Sequence, residues 1–176
     1  MAVHKANLGD IYHVKAVFAS QKIQWNEARR NYIQNIHWLE EALRLDSANL
    51  RYRKSLADAL WYCAGADLEL REPLLAANRS LAMLYTYPVV EYEFWAAELL
   101  ARCIPLAEKE DPNFAFMHFH LCLELTRSWL DKSGEDTQVI RENANFAPLL
   151  KQLDFQRMLL DVENERTRNN DSFRPE

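Results

Sequence analysis

Apolar side chains recur along this chain at the three-to-four-residue spacing of helix faces, and sustained alternation is nearly absent. Leu8, Ile11, Val14 and Phe18 mark a first helix. Ala28, Tyr32, Ile36, Leu39 and Leu43 mark a second that ends near Leu45. Asp46, Ser47 and Asn49 then offer side-chain oxygens that can cap a new N-terminus. Leu50, Leu56, Leu60 and Ala64 continue as a third helix, widened by Trp61 and Leu68, with Gly65 expected near its end. Pro73 fits the first turn of a fourth, where a missing N–H costs nothing, and Pro88 breaks it after Tyr85. Val90, Phe94, Ala97, Ala101 and Ile104 form a fifth stripe, with Pro105 expected to kink the last turn.

Asp111-Pro112 opens a sixth helix with two apolar faces. One holds Phe114, Met117, Leu121, Leu125 and Trp129; the other holds Phe116, Phe119, Leu123 and Leu130. Such a helix is expected between neighbours on both sides. Ser133-Gly134 ends it, and shorter pieces follow at 136–142, 148–152 and 154–163. The polar segment 167–176 is expected to be disordered, which leaves 1–166 as a single helical domain. The connections are short, so successive helices should lie antiparallel. Each hairpin must then bury its apolar face on the next, which is the logic of an α-solenoid with a groove lined by alternate helices. The fold class is all-α: an antiparallel stack of about seven to nine helices.

Composition supports this reading. Three glycines in 176 residues is far below the usual ~7%, which disfavours an all-β fold and any Gly-rich phosphate loop. The net charge of −5 is unevenly spread. Residues 1–54 carry nine basic against five acidic side chains, and residues 55–125 carry four against eleven. That balance argues against a nucleic-acid binder, which shows a basic stripe. Lys5, Asp10, His13 and Lys15 interrupt any N-terminal apolar run, and no stretch of 18 apolar residues exists. A cytoplasmic, non-membrane protein is the expectation.

Ala42-Leu43-Arg44-Leu45-Asp46 resembles the end of one tetratricopeptide (TPR) repeat, and Leu56, Ala57 and Leu60 resemble the packing positions of the next. Arg53 stands where the repeat usually has an aromatic, with Tyr52 before it, and Ser47 stands where proline is common. A second junction recurs from Ala107 to Leu125, with Asp111-Pro112, Leu121, Cys122 and Leu125 in the matching roles. The two lie 65 positions apart, near twice the 34-residue unit but not equal to it. Asn145 to Leu159, "NFAPLLKQLDFQRML", is similar to the closing segment of many bacterial TPR proteins. There Asp154 would cap a helix whose Phe155, Met158 and Leu159 cover the end of the stack, over about 144–163. The resemblance implies a degenerate TPR-like scaffold that binds a protein or peptide and performs no chemistry itself.

Candidate chemistry is sparse. His118 and Cys122 share a helix face with His120 nearby, but no second ligand pair accompanies them, so packing is the better account. Cys63, Cys103 and Cys122 sit in apolar stripes, unlike reactive thiolates. Glu40-Glu41, Glu91/Glu93 and Glu108/Glu110/Asp111 read as solvated faces and helix ends. No phosphate-loop, nucleophile-elbow or zinc-helix motif occurs. Neither metal, cofactor nor catalytic set is expected. Arg44, Arg51, Arg53 and Lys54 gather near one turn, with Arg29-Arg30 within reach, and basic forks suit carboxylates. Arg51, Tyr52, Arg53 and Lys54 are therefore the expected partner contacts. Trp25, Trp38, Trp61, Trp95 and Trp129 read as inter-helix wedges, one or two of which can instead line a groove. Two other classes stand beside the adaptor. A structural subunit would oligomerise or dock permanently on a neighbour, and a helical enzyme would need a closed pocket of convergent polar groups.

Overall fold

Small residues decide how the first two helices meet. The structure, a computed structural model, describes residues 1–172, with side chains through Asn169. Helix α1 (Ala2–Gln21) buries Ala6, Gly9, Ala16 and Ala19 against α2 (Trp25–Leu45). A Cβ on Gly9 would stand 3.0 Å from Asn35 Oδ1 and 3.3 Å from Leu39 Cγ, so the two helices pass closely enough that any side chain there would push on both. This inverts the expected face of α1: Ile11 (52%), Val14 (66%) and Phe18 (58%) point to solvent. The apolar stripe is real but lies outward, because close backbone approach selects the small-residue face.

The turn after α2 is built as its residues predict. Asn49 caps α3 (Leu50–Glu69) by accepting from Tyr52 N at 3.2 Å, and its amide donates to Asp46 Oδ2 at 2.9 Å. Gly65 lies inside α3, not at its end. α3 is the central helix: besides α2 and α4 (Pro73–Thr86) it meets α1 and α5 (Val90–Ala107). Pro73 takes the first turn of α4, and Pro105 lies inside the last turn of α5.

The turns after α1 and α3 share one geometry. Ile23 N donates to Ser20 O and Gln24 N to Ala19 O; Arg71 N donates to Leu68 O and Glu72 N to Asp67 O. These paired bonds close a Schellman motif, with Ile23 (φ 61°) and Arg71 (φ 60°) in the left-handed position that glycine usually takes. α1 and α3 each have 20 residues and start 48 positions apart, at residues 2 and 50. α5 starts 40 positions after α3, at residue 90. Both intervals exceed the 34-residue unit.

Asp111 caps α6 (Pro112–Ser133) by accepting from Asn113 N and Phe114 N, both at 3.1 Å, and Gly134 ends it with φ 74°. The deepest line of α6 is Ala115, His118, Cys122 and Thr126, between the two expected faces. Phe116 and Met117 are exposed instead. Small side chains again set the approach, and Cys122 Sγ reaches Ala97 O of α5 at 3.3 Å. Then follow α7 (Gln138–Glu142), two 3-10 turns (Ala144–Phe146 and Leu149–Lys151) and α8 (Leu153–Ser172).

Phe155, Met158 and Leu159 are buried with Ile140, Phe146 and Leu149 in the main core. Asp154 sits within the first turn of α8 rather than capping it, since the helix begins at Leu153. The segment expected to be disordered is helical over 167–172. There Thr167 Oγ1 donates to Glu163 O at 3.0 Å, and Arg166 just before it reaches Leu130 O and Glu135 O. The remainder of that expectation, 173–176, lies outside the described residues. Among the described residues all regular structure is helical, with eight α-helices whose consecutive neighbours pack antiparallel.

Candidate functional site

α1, α3 and α5 all contribute to one side of the stack, where a groove of about 510 Å³ opens. Val17, Ser20 and Gln21 come from α1, and Trp61, Tyr62, Gly65, Ala66 and Glu69 from α3. Glu98, Leu99 and Arg102 come from α5, Trp25 and Tyr32 from α2, and Asn145 from the first 3-10 turn. The volume falls in the range of ordinary ligand pockets, roughly 300–1,000 Å³.

Aromatic rings wall this groove at two orientations. Tyr32 and Tyr62 stack with centroids 5.7 Å apart and planes 9° from parallel. Trp61 stands edge-on to Tyr62 at 4.8 Å and leans on Trp95 at 5.2 Å. His13 abuts Tyr62 at 5.3 Å. Burial pushes the Tyr32 phenol up, so it stays protonated and can share a proton with Ser20 Oγ at 3.4 Å. Gly65 leaves a gap one turn beyond Trp61: a Cβ there would meet no atom within 4 Å.

The rim is charged and partly self-satisfied. Arg102 donates to Glu69 at 3.2 Å, tying α5 to α3. Glu98 Oε1 accepts from Asn143 Nδ2 at 3.1 Å and from Asn145 Nδ2 at 2.6 Å. Oε2 of Glu98 takes no partner among the described residues.

Of the residues expected at the turn after α2, Arg51 and Tyr52 line one small cavity, while Arg53 and Lys54 are exposed and bonded locally. Tyr52 is buried (7%) with Ala6 and Ala42. The Arg53 guanidinium donates twice to Ser47 O, at 3.1 and 2.9 Å, and so braces its own loop. Lys54 pairs with Asp58 at 3.1 Å, and Arg44 with Glu41. Arg51 lines a separate cavity of about 130 Å³ with Asn7, Asp10 and Ser55, at the other end of α3 from Gly65. Arg29 turns inward to Asp67 (3.6 Å) and Glu72 (2.6 Å).

The other candidates resolve into packing. His118 is buried, its Nδ1 bonded to Phe114 O at 2.8 Å. Cys63, Cys103 and Cys122 are free and buried, and burial pushes the Cys103 and Cys122 thiols up to about 12. Among the described residues no group of three or more His, Cys, Asp or Glu could hold a metal ion. Glu93 binds Lys132 and Ser128. Sequence reasoning missed Tyr62, Glu98 and Gly65 as groove residues. For Gly65 a signal existed: a helix-weakening residue one turn after Trp61 in an otherwise strong helix. Glu98 is defined by Asn143 and Asn145, more than forty positions away, which no local pattern reveals. No family model, curated protein or solved structure matches this chain.

Proposed function

We infer that this chain is a protein- or peptide-binding module, an adaptor or regulatory part of a larger system, that receives its partner in the aromatic groove on α1, α3 and α5. A degenerate TPR-like repeat architecture belongs to the same proposal, supported by antiparallel hairpins and by α1, α3 and α5 sharing a groove to which α2 adds Trp25 and Tyr32. The observation that carries the reading is the groove itself: four aromatic residues and a glycine gap, open to solvent and rimmed by polar groups. Large aromatics lining an open groove are side chains on which binding energy concentrates. Three free thiols fit a reducing, cytoplasmic setting. No described helix is long and apolar enough to cross a membrane.

The test compares partner capture by the native chain, by Gly65→Phe and by a variant with Arg51, Arg53 and Lys54 all reversed to Glu. Capture lost only with Gly65→Phe supports the groove. Capture lost only with the reversed turn moves the contact to the far end of α3 and defeats this reading.

One observation favours a second reading, a subunit docked on a neighbour. Val3, Ile11, Val14 and Phe18 are exposed on one side of α1, with Asn7 between Val3 and Ile11. Light scattering separates the two. A stable oligomer that Val14→Asp dissolves favours docking, and a monomer favours the adaptor.

A further inference from the structure

We propose that the occupant of the groove is a peptide segment presenting a lysine or arginine side chain, whose cation lies against the Trp61 and Tyr62 rings and is met by Glu98. This deepens the peptide-binding reading and rests on it.

Three independent features point to a cation. Aromatic rings attract positive charge through their quadrupole, and Trp61 and Tyr62, packed edge to face at 64°, both line the groove. The rim carries two carboxylates, Glu69 and Glu98, against one guanidinium, Arg102. Arg102, one turn from Glu98 on α5, pairs with Glu69, and Glu98 makes no ion pair among the described residues. Its carboxylate is also preset: Asn143 and Asn145 both donate to Oε1, which fixes the group and leaves Oε2 available. An anionic or purely apolar ligand would leave that charge unmatched on burial, which is costly.

Gly65 adds a fourth, separate argument. It sits inside a 20-residue helix, with no positive φ and no neighbour that a Cβ would strike. Glycine there weakens the helix relative to alanine and serves no packing purpose. What it does is leave open space in the wall beside Trp61. The flanking lining of Val17, Ala66 and Leu99 suits apolar residues on either side of the cation.

The experiment follows the tryptophan indole N–H signals by NMR during titration with acetyl-Leu-Lys-Leu amide. Parallel titrations use the same peptide with norleucine or glutamate replacing lysine, and free spermidine. The lysine peptide should shift the Trp61 signal and bind about tenfold tighter than the norleucine peptide, the glutamate peptide being weakest. In Glu98→Gln, whose amide oxygen still accepts from Asn143 and Asn145, that advantage should fall to about twofold or less. Gly65→Phe should abolish binding of every peptide while its melting curve stays cooperative; Gly65→Leu serves as a second block.

Equal binding of lysine and norleucine peptides, blocked by Gly65→Phe, overturns the cation and leaves the groove standing. Spermidine binding as tightly as the lysine peptide overturns a peptide as the source. Shifts absent at millimolar peptide, or persisting in both blocked variants, defeat the groove and this proposal together.

Discussion

Asp67 is fully buried in α3, between Arg29 of α2 and Arg79 of α4. Both guanidinium groups pair with its carboxylate. Removing one partner of a buried pair costs about 3–5 kcal/mol, chiefly through the charge left behind. Here both guanidinium groups keep some contact with water, so Asp67→Asn should cost about 3 kcal/mol, at the low end. Urea unfolding checks this; an unchanged midpoint would show that Asp67 does not hold α2 and α4 to α3. Ile23 works in the opposite direction. A β-branched side chain at φ 61° carries roughly 1–2 kcal/mol of left-handed strain, and this one is mostly exposed. Ile23→Gly should therefore stabilise the fold by about 1 kcal/mol after the entropic cost of glycine. A lower melting temperature would mean that the Ile23 side chain makes a contact outweighing its backbone. Single residues were legible where chemistry is local: Asn49, Asp111, Pro73 and Gly134 do at helix ends what their types dictate. Ile23 and Arg71 were not, because nothing in an isoleucine or an arginine announces a left-handed turn.

Among elements, α1 shows how periodicity can reveal a helix and still misplace its face. Ile11, Val14 and Phe18 mark a stripe, but Ala6, Gly9, Ala16 and Ala19 form a second one on another side. Area alone favours burying the large residues. Backbone proximity favours the small ones, since they allow more α2 atoms within contact distance. Gly9→Val tests which governs. Valine would collide with Asn35 and Leu39, and overpacking a tight seam costs about 1–3 kcal/mol. The expected result is faster hydrogen exchange across α1 and the neighbouring face of α2, with α5 and α6 unaffected. Uniform exchange along the chain would show that α1 is not held by that seam. The same competition explains α6, where Ala115 and Cys122 lie deeper than Phe116. Helix number and order could be read from the sequence; the inward face could not, because a hydrophobic pattern scores size and not closeness.

For the molecule as a whole, pH separates the ends of the stack from its centre. Glu163 of α8 is held by Thr137 and Arg141, and these bonds keep its carboxyl below the usual range of about 4.5. Its contribution is present above that range and disappears as pH falls through the lower folded value. Glu41 of α2, held by Lys5 of α1, is lowered in the same way, so acid should loosen α8 and α1 before α3, seen as early exchange of their amides; simultaneous loss of α3 would contradict this. The centre responds at the other extreme. Cys103 and Cys122 lie on the facing sides of α5 and α6, and burial raises both thiols from 9.0 to about 12. Between those values the unfolded chain sheds protons that the folded chain retains, so stability falls as pH rises, by about 1.4 kcal/mol per pH unit for each thiol. Cys63 and Tyr92, also raised chiefly by burial, add to the same slope. With reductant present, the urea midpoint should drop clearly between about pH 8 and about pH 10, and less steeply in a Cys103→Ala, Cys122→Ala chain. That double variant begins less stable, having lost two buried sulfurs, so the slope and not the starting midpoint is the readout. Equal slopes would mean that both thiols meet water in the folded protein, and the close seam between α5 and α6 would then be open.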